Sequence, residues 1–159
     1  MSEQAAVRFD TRAECEAQFR ACLAASSAQL QLFDPDFAVF PLGAREVDAA
    51  LRAFLAGGGT VQLAMHSPAH IERHYPRFLR LLRDYSHLLE CRVTGRGLRQ
   101  LTDSFCIGDG VHIVRRYHSD YPRGETAFGA ASATELARER FAAIWDESRP
   151  ALAPSTTGL

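Results

Sequence analysis

The sequence contains no lysine and no asparagine. All 18 residues counted as lysine or arginine are arginine, in a chain of 159 residues. Without a lysine ammonium group the chain cannot form a Schiff base with a carbonyl substrate, and it cannot supply the lysine of a phosphate-binding P-loop. The motif G-x-G-x-x-G is also missing, because Gly95-Arg96-Gly97 is not followed by the third glycine. G-x-S-x-G is absent as well, so several large enzyme classes are excluded.

Cysteine is sparse and is not arranged for metal binding. The four cysteines are Cys15, Cys22, Cys91 and Cys106, and no two have the C-x-x-C spacing of a zinc site. Cys15 and Cys22 lie seven residues apart, on one face of a predicted helix. We interpret all four as small buried apolar side chains. No metal or other cofactor is expected.

Long hydrophobic runs are absent too. No segment approaches the ~20 consecutive apolar residues of a membrane span. The start, Met1-Ser2-Glu3-Gln4, lacks the basic and apolar parts of an export signal. We therefore expect a cytoplasmic protein with no membrane partner. A net charge of −1 favours no particular macromolecular partner.

What is present is a regular alternation of helix and strand patterns. Thr11 and Glu14 form a capping box at the start of the first helix, and Gly57-Gly58-Gly59 ends the second. The predicted order is helix 11–25, strand 28–33, helix 45–56, strand 60–65, helix 67–85 kinked or restarted at Pro76, strand 88–93, a hairpin of 104–107 and 111–117, a short strand 126–128 and helix 133–148.

This order predicts an α/β fold with a mixed, mostly parallel sheet flanked by helices on both faces. The length and the 47% hydrophobic content suit one domain with one core. We place that domain at residues 1–149. Residues 150–159, rich in Pro, Ser, Thr and Gly, are expected to form a flexible tail.

The element order resembles one repeat of the phospholipase D superfamily, from Cys15 to Ser148. The stretch 47–65 is similar to that family's helix, glycine turn and strand, and 98–110 falls where the family carries its signature. The closing stretch 141–145 resembles its last amphipathic helix. The chain is also similar to short bacterial proteins of unknown function. The resemblance implies a homodimer, because single repeats of that superfamily pair to build one central cleft.

The family signature, His-x-Lys-x4-Asp, is degenerate in this chain. Aligned on Asp109, the histidine position holds Thr102 and the lysine position holds Ser104. In the family the histidine attacks phosphorus and the lysine holds phosphate oxygens. Thr and Ser cannot replace them near neutral pH without a nearby base, and Asp109 is better explained by its tight turn. The resemblance thus implies the fold without the phosphodiesterase activity, and we predict a non-catalytic binding or interaction module.

Several residues could bind a small anionic ligand. His66 lies at the end of a predicted central strand, where open α/β sheets place ligands, and Ser67 opens the next helix. One of the adjacent Arg115 and Arg116 must point inward on its strand and needs a carboxylate, Asp103 or Asp109, or an anion. We favour a structural Arg–Asp pair. The candidate ligand-binding residues are His66, Ser67, Asp103, His112, Arg115, Arg116 and His118.

Two other interpretations use the same part of the chain. The first is a hydrolase with a remodelled cleft, acting on a phosphodiester or another anionic substrate. Its residues would be His66, Asp103, His112, Arg115 and His118.

The second is a nucleic-acid binder that uses the stripe Arg73, Arg77 and Arg80. Residues 73–123 hold ten Arg and five acidic residues, whereas 1–36 hold three Arg and six acidic residues. This asymmetry could serve an anionic partner or a dimer, but we interpret the stripe as a solvated face and do not expect nucleic acid. His66, His70 and His74 could share a metal only in one continuous helix, which Pro68 interrupts.

Overall fold

The protein forms one eight-stranded sheet with helices on both faces. The computed structural model describes residues 6–152, and the strand order across the sheet is β1-β7-β6-β5-β2-β3-β4-β8. The elements are β1 (Val7–Phe9), α1 (Arg12–Ala25), β2 (Gln29–Phe33), α2 (Arg45–Ala56), β3 (Thr60–Met65), α3 (Ala69–His74), α4 (Pro76–Asp84), β4 (Leu89–Thr94), a 3₁₀ turn (Arg96–Leu98), β5 (Ser104–Gly108), β6 (His112–Arg116), β7 (Gly124–Ala127), α5 (Ala131–Asp146) and β8 (Ser148–Ala151).

The predicted mixed α/β class is confirmed, but parallel pairing is less extensive than expected. Only β2–β3 and β3–β4 are parallel. The pairs β1–β7, β2–β5, β4–β8, β5–β6 and β6–β7 are all antiparallel. The expectation of a mostly parallel sheet was wrong because β5 of the hairpin pairs antiparallel with β2. The edge strands β1 and β8 each add another antiparallel pair.

Two apolar cores lie on the two faces of the sheet. The larger core buries α1 to α4 against the sheet, with Phe19, Leu51 and Phe78 fully or almost fully enclosed. The smaller core packs Phe141 and Ile144 of α5 on the opposite face. The prediction of helices on both faces is therefore confirmed. Burial of these side chains is the main force that holds the layers together.

The helix boundaries follow the local signals in the sequence. The Thr11 hydroxyl accepts the N–H of Glu14, whose carboxylate accepts the N–H of Thr11 in return, so the predicted capping box is present. The helix predicted over 67–85 is two helices. α3 ends at His74 and α4 begins at Pro76, since proline cannot donate the hydrogen bond that a continuous helix would need.

All four cysteines are buried and none forms a disulfide, which confirms their apolar interpretation. Burial raises the pKa of the Cys15 thiol to about 11 and that of Cys91 to about 12. The sulfur atoms of Cys22 and Cys106 lie 4.0 Å apart in the larger core. These thiols pack as small apolar groups rather than as nucleophiles.

The sequence patterns missed both edge strands. β1 pairs with β7, and β8 pairs with β4. β8 includes Pro150 and Ala151, which were assigned to the flexible tail, so the ordered domain extends past residue 149. The rest of the predicted tail, from residue 153, lies outside the described residues.

Candidate functional site

A buried cluster of Asp34, Ser104 and Arg116 occupies one edge of the sheet, meaning the edge formed by the ends of the strands. Asp34 follows the end of β2, Ser104 begins β5 and Arg116 ends β6. These ends meet because β5 runs antiparallel to both β2 and β6, which places Phe105 opposite Phe33 and Ser104 opposite Arg116. Strand pairing thus brings together residues that are 70 and 82 positions apart in the chain.

Both carboxylate oxygens of Asp34 accept two hydrogen bonds. Oδ1 accepts from the Ser104 hydroxyl and from Nη2 of Arg116 at 2.7 Å. Oδ2 accepts the backbone N–H groups of Asp36 and Phe37, at 2.9 and 2.5 Å. Burial raises the pKa of Asp34, while the guanidinium, the hydroxyl and the two N–H groups act in the opposite direction. The exposed fraction of Asp34 is 0%, so the carboxylate is enclosed by its donors.

Arg116 is the inward-pointing arginine, and its exposed fraction is 1%. Nη2 also donates to the Ser104 hydroxyl at 3.0 Å, and Nη1 donates to the Ser119 carbonyl at 3.1 Å. Nε has no hydrogen-bond partner within residues 6–152. The structural Arg–Asp pair expected from the sequence is present, but its partner was wrong: it is Asp34, not Asp103 or Asp109.

The two rejected partners have other contacts. Asp103 binds Arg140 of α5 with both oxygens, at 2.5 and 2.9 Å. Asp109 lies at the far end of β5, in a left-handed conformation with φ of 54°. Its carboxylate accepts the N–H groups of Ser27, Ala28 and Gln29. Partial burial raises the pKa of Asp109, but these three N–H groups outweigh burial and the net pKa is lowered.

The signature positions are therefore spread along β5. Thr102 is exposed just before the strand, where its carbonyl accepts the N–H of Ser119 at 2.6 Å. Ser104 is buried in the cluster with Asp34. Asp109 lies seven residues beyond Thr102, about 20 Å away along an extended strand, and connects the hairpin turn to the start of β2. The one signature residue that matches the family, Asp109, accepts hydrogen bonds from backbone N–H groups and does not face the Asp34–Arg116 pair.

His66 lies at the same sheet edge as Asp34. Its Nε2 is 2.8 Å from the Leu101 carbonyl, and its Nδ1 is 2.6 Å from the hydroxyl of buried Thr94. Because a carbonyl only accepts, we assign the proton to Nε2, and Nδ1 then accepts from the threonine. Both ring nitrogens are engaged by the protein. The hydroxyl of exposed Ser67 accepts the N–H of Ala69 at 3.2 Å.

The remaining candidate residues do not converge on one point. His112 begins β6, at the opposite edge of the sheet from Arg116, and its Nδ1 accepts the N–H of Gly129 at 2.9 Å. Arg115 points to the α5 face, where its buried Nε lacks a partner within the described residues. His118 follows β6, and its Nδ1 lies 3.7 Å from the carboxylate of Asp120. At the edge that holds Asp34, Ser104 and Arg116 contact its carboxylate, and the N–H groups of His66 and Ser67 donate to the carbonyl of the next residue, Pro35.

The break between α3 and α4 divides the basic stripe, whereas the histidine series is divided before α3, which holds His70 and His74 but not His66. Arg77 turns back to donate to the Gly43 carbonyl at 3.1 Å, whereas Arg73 and Arg80 are exposed. The rings of His70 and His74 lie 4.7 Å apart, away from His66. Among the residues that the structure describes, no group of three or more His, Cys, Asp or Glu could hold a metal ion.

Asp34 is the residue that sequence reasoning missed. It begins the turn Asp34-Pro35-Asp36 and accepts the N–H groups of Asp36 and Phe37. The available signal was its position directly after β2, at the carboxyl end of a central strand. That position is the one for which His66 was selected after β3.

Solved structures with a similar fold include Nuc from Salmonella typhimurium, a phospholipase D family member. It has a TM-score of 0.69 and 12% identity, over 92% of this chain and 97% of that one. NucT from Helicobacter pylori gives 0.62 and 9%, over 92% and 99%. TrmBL2, an archaeal chromatin protein whose structure shows a mode of DNA binding, gives 0.70 and 11%, over 93% and 54%. The chain therefore has a phospholipase D-like fold.

The chain belongs to the DUF7931 family, described as a domain of unknown function, whose model matches residues 11–153. No curated protein matches the chain in sequence. Along residues 6–152, no helix combines the length and the apolar character that crossing a membrane requires.

Proposed function

We propose that this domain is a non-catalytic phospholipase D-like module that binds a ligand or partner and does not hydrolyse a phosphodiester. The observation that carries the proposal is the state of Ser104, which stands at the lysine position of the signature. Its side chain is buried and hydrogen bonded to both members of the Asp34–Arg116 pair. A guanidinium committed to a buried carboxylate would have to break that pair before it could hold a phosphate.

The histidine position supports the same proposal. Thr102 would need a neighbouring base to attack phosphorus. His66, the imidazole at this edge, has Nδ1 and Nε2 engaged by Thr94 and Leu101. The other acidic candidate, Asp103, is bound on both oxygens by Arg140. Neither His66 nor Asp103 is therefore available as a proton acceptor for Thr102.

We further propose that the domain acts as a homodimer in the cytoplasm. The resemblance to single repeats that pair around one cleft supports the dimer, and the opposite net charges of segments 1–36 and 73–123 favour attraction between copies. Four buried free thiols are consistent with a reducing compartment.

The catalytic question is tested with a chromogenic phosphodiester, bis(p-nitrophenyl) phosphate, and the intact chain. We expect no release of p-nitrophenolate above that of a Thr102→Ala/Ser104→Ala double variant. If the natural chain hydrolyses the diester and His66→Ala or Ser104→Ala abolishes this turnover, the protein is instead the hydrolase with a remodelled cleft. Thermal unfolding of each variant shows whether a loss of turnover reflects a loss of folded protein.

A further inference from the structure

A groove of about 390 Å³ opens between β1 and the segment that follows β6. Its volume lies within the range of small-molecule sites. The segment continues directly from Arg116, so the groove adjoins the buried cluster without including it. The side chains that matter for its chemistry are Arg8, Phe9, Tyr117, His118, Tyr121 and Arg123.

Two tyrosine rings in the groove are unusually exposed. Tyr117 has an exposed fraction of 46% and Tyr121 of 55%, and they are two of the four large hydrophobic side chains that the described residues expose. The Tyr117 hydroxyl donates to the Glu125 carboxylate at 3.0 Å, which fixes its ring while leaving a face open. The His118 ring lies 5.9 Å from that of Tyr121. Rings held open to solvent in this way suit stacking against a planar ligand.

Two arginines place positive charge beside these rings. The Arg123 guanidinium lies 5.6 Å from the centre of the Tyr121 ring, and Arg8 also lines the groove. Within residues 6–152 neither arginine forms an ion pair. One carboxylate, Asp10, also lines the groove. Glu125, which accepts from the Tyr117 hydroxyl and lies opposite Arg8 in the pairing of β1 with β7, is a second carboxylate nearby. The positive charge that can bind an anionic group next to a stacked ring is therefore mainly that of Arg123, beside Tyr121.

The groove is held in shape by its backbone. The N–H of Tyr117 donates to the Arg123 carbonyl and that of Tyr121 to the His118 carbonyl, both at 3.1 Å. A Cβ at Gly124 would lie 1.9 Å from the Arg115 carbonyl oxygen and 2.6 Å from the Phe9 ring, so only glycine allows this close packing beneath the groove. A preformed site loses little conformational entropy when a ligand binds.

We propose that this groove binds a nucleotide unit, with its base stacked on Tyr121 and Tyr117 and its phosphate held by Arg123 and Arg8. A free nucleotide and a single-stranded polynucleotide supply the same unit. The inference rests on the proposed function, a non-catalytic binding module, and names the ligand of that module. It differs from the basic stripe of Arg73, Arg77 and Arg80, which lies on α3 and α4 and contributes nothing to this groove.

The test measures fluorescence anisotropy of a labelled thymidylate dodecamer with the full chain. Competition by unlabelled dodecamer, by thymidine 5′-monophosphate and by inorganic phosphate distinguishes the sources. We expect saturable binding that nucleotide displaces and that phosphate alone displaces poorly. Tighter displacement by the dodecamer identifies a strand as the ligand, and equal displacement by the mononucleotide identifies the free form.

Matched variants locate the binding. Tyr121→Ala should weaken it about 5- to 150-fold, because stacking on an aromatic ring is worth about 1–3 kcal/mol per base. Tyr121→Phe should preserve it. Arg123→Ala should lower the slope of log K against log salt by about one. Arg138→Ala, which removes the same charge beside Gly110 at the opposite edge of the sheet, should change neither quantity.

Absence of saturable binding up to millimolar ligand would overturn the proposal, as would binding that Tyr121→Ala leaves intact or that Arg138→Ala weakens as much as Arg123→Ala. These outcomes are separate from the turnover assay. If the domain has no hydrolase activity and binds no nucleotide, only this inference fails. If the domain hydrolyses the chromogenic diester, the proposed function fails.

Discussion

At the scale of single residues, the cluster of Asp34, Ser104 and Arg116 is closed, because each side chain is buried and hydrogen bonded to the other two. The Ser104 side chain is short. The guanidinium of Arg116, which lies opposite Ser104 in the pairing of β5 with β6, donates to its hydroxyl. Removing one member of a buried ion pair costs about 3–5 kcal/mol, because the other charge is left unpaired. The cluster is therefore expected to hold the ends of three strands together.

Asp109 gives this protein a measurable pH dependence. Since its pKa is lowered in the folded state, its contribution to stability is present above the unfolded value of about 3.9 and is lost as the pH falls through the lower folded value. We expect Asp109→Asn to be about 1 kcal/mol less stable than the natural chain at pH 7, because the amide oxygen of Asn still accepts hydrogen bonds but more weakly than a charged carboxylate. The difference should shrink as the pH falls below about 4.

Denaturant unfolding at several pH values checks this expectation. Asp146→Asn, at an exposed position near the end of α5, serves as the control and should follow the natural chain within about 0.5 kcal/mol throughout. A deficit of Asp109→Asn that stays constant down to low pH would show that the three backbone contacts do not depend on the charge.

The sequence predicted residue types at the site better than residue partners. An inward arginine on β6 follows from the alternation of a strand, so Arg116 could be expected. Its partner could not, because Asp34 reaches it only through the pairing of β2 with β5 and of β5 with β6. Such register is set by packing of the whole sheet and not by spacing along the chain.

At the scale of elements, the patterns predicted each long helix and each central strand. Capping at Thr11, the glycines after α2 and the Gly108-Asp109-Gly110 turn are local signals that act in the unfolded chain as well. β1 and β8 carry no such signal, since they have three and four residues and are largely exposed. β8 also contains Pro150, which is tolerated because an edge strand needs no donor on its outer side.

At the scale of the whole molecule, an overall charge of −1 conceals opposite local balances, acidic in 1–36 and basic in 73–123. The two balances lie on one continuous sheet, because β1 and β2 belong to the acidic part and β4, β5 and β6 to the basic part. β2 lies inside the sheet between β5 and β3, so any contribution of these charges to a two-fold dimer comes from exposed residues of the two segments and not from two separate regions of the sheet.

The homodimer is tested by size-exclusion chromatography with multi-angle light scattering. We expect a mass of twice 17.6 kDa at micromolar concentration and above. If charge complementarity contributes, the dimer should dissociate more readily at high ionic strength, where attraction between exposed charges is screened. A mass of one chain at every concentration, in low salt as well as high, would contradict the dimer.

The central claim is that Asp34, Ser104 and Arg116 serve the fold and not a reaction, and a double-mutant cycle measured by denaturant unfolding tests it most directly. Asp34→Asn and Arg116→Met should each lose about 3–5 kcal/mol, and the double variant should lose less than the sum of the two. Ser104→Ala, a milder change, should lose about 1–2 kcal/mol. Stability that these substitutions leave unchanged within about 0.5 kcal/mol, or increase, is the result expected of polar groups kept for a substrate, and it would contradict the account.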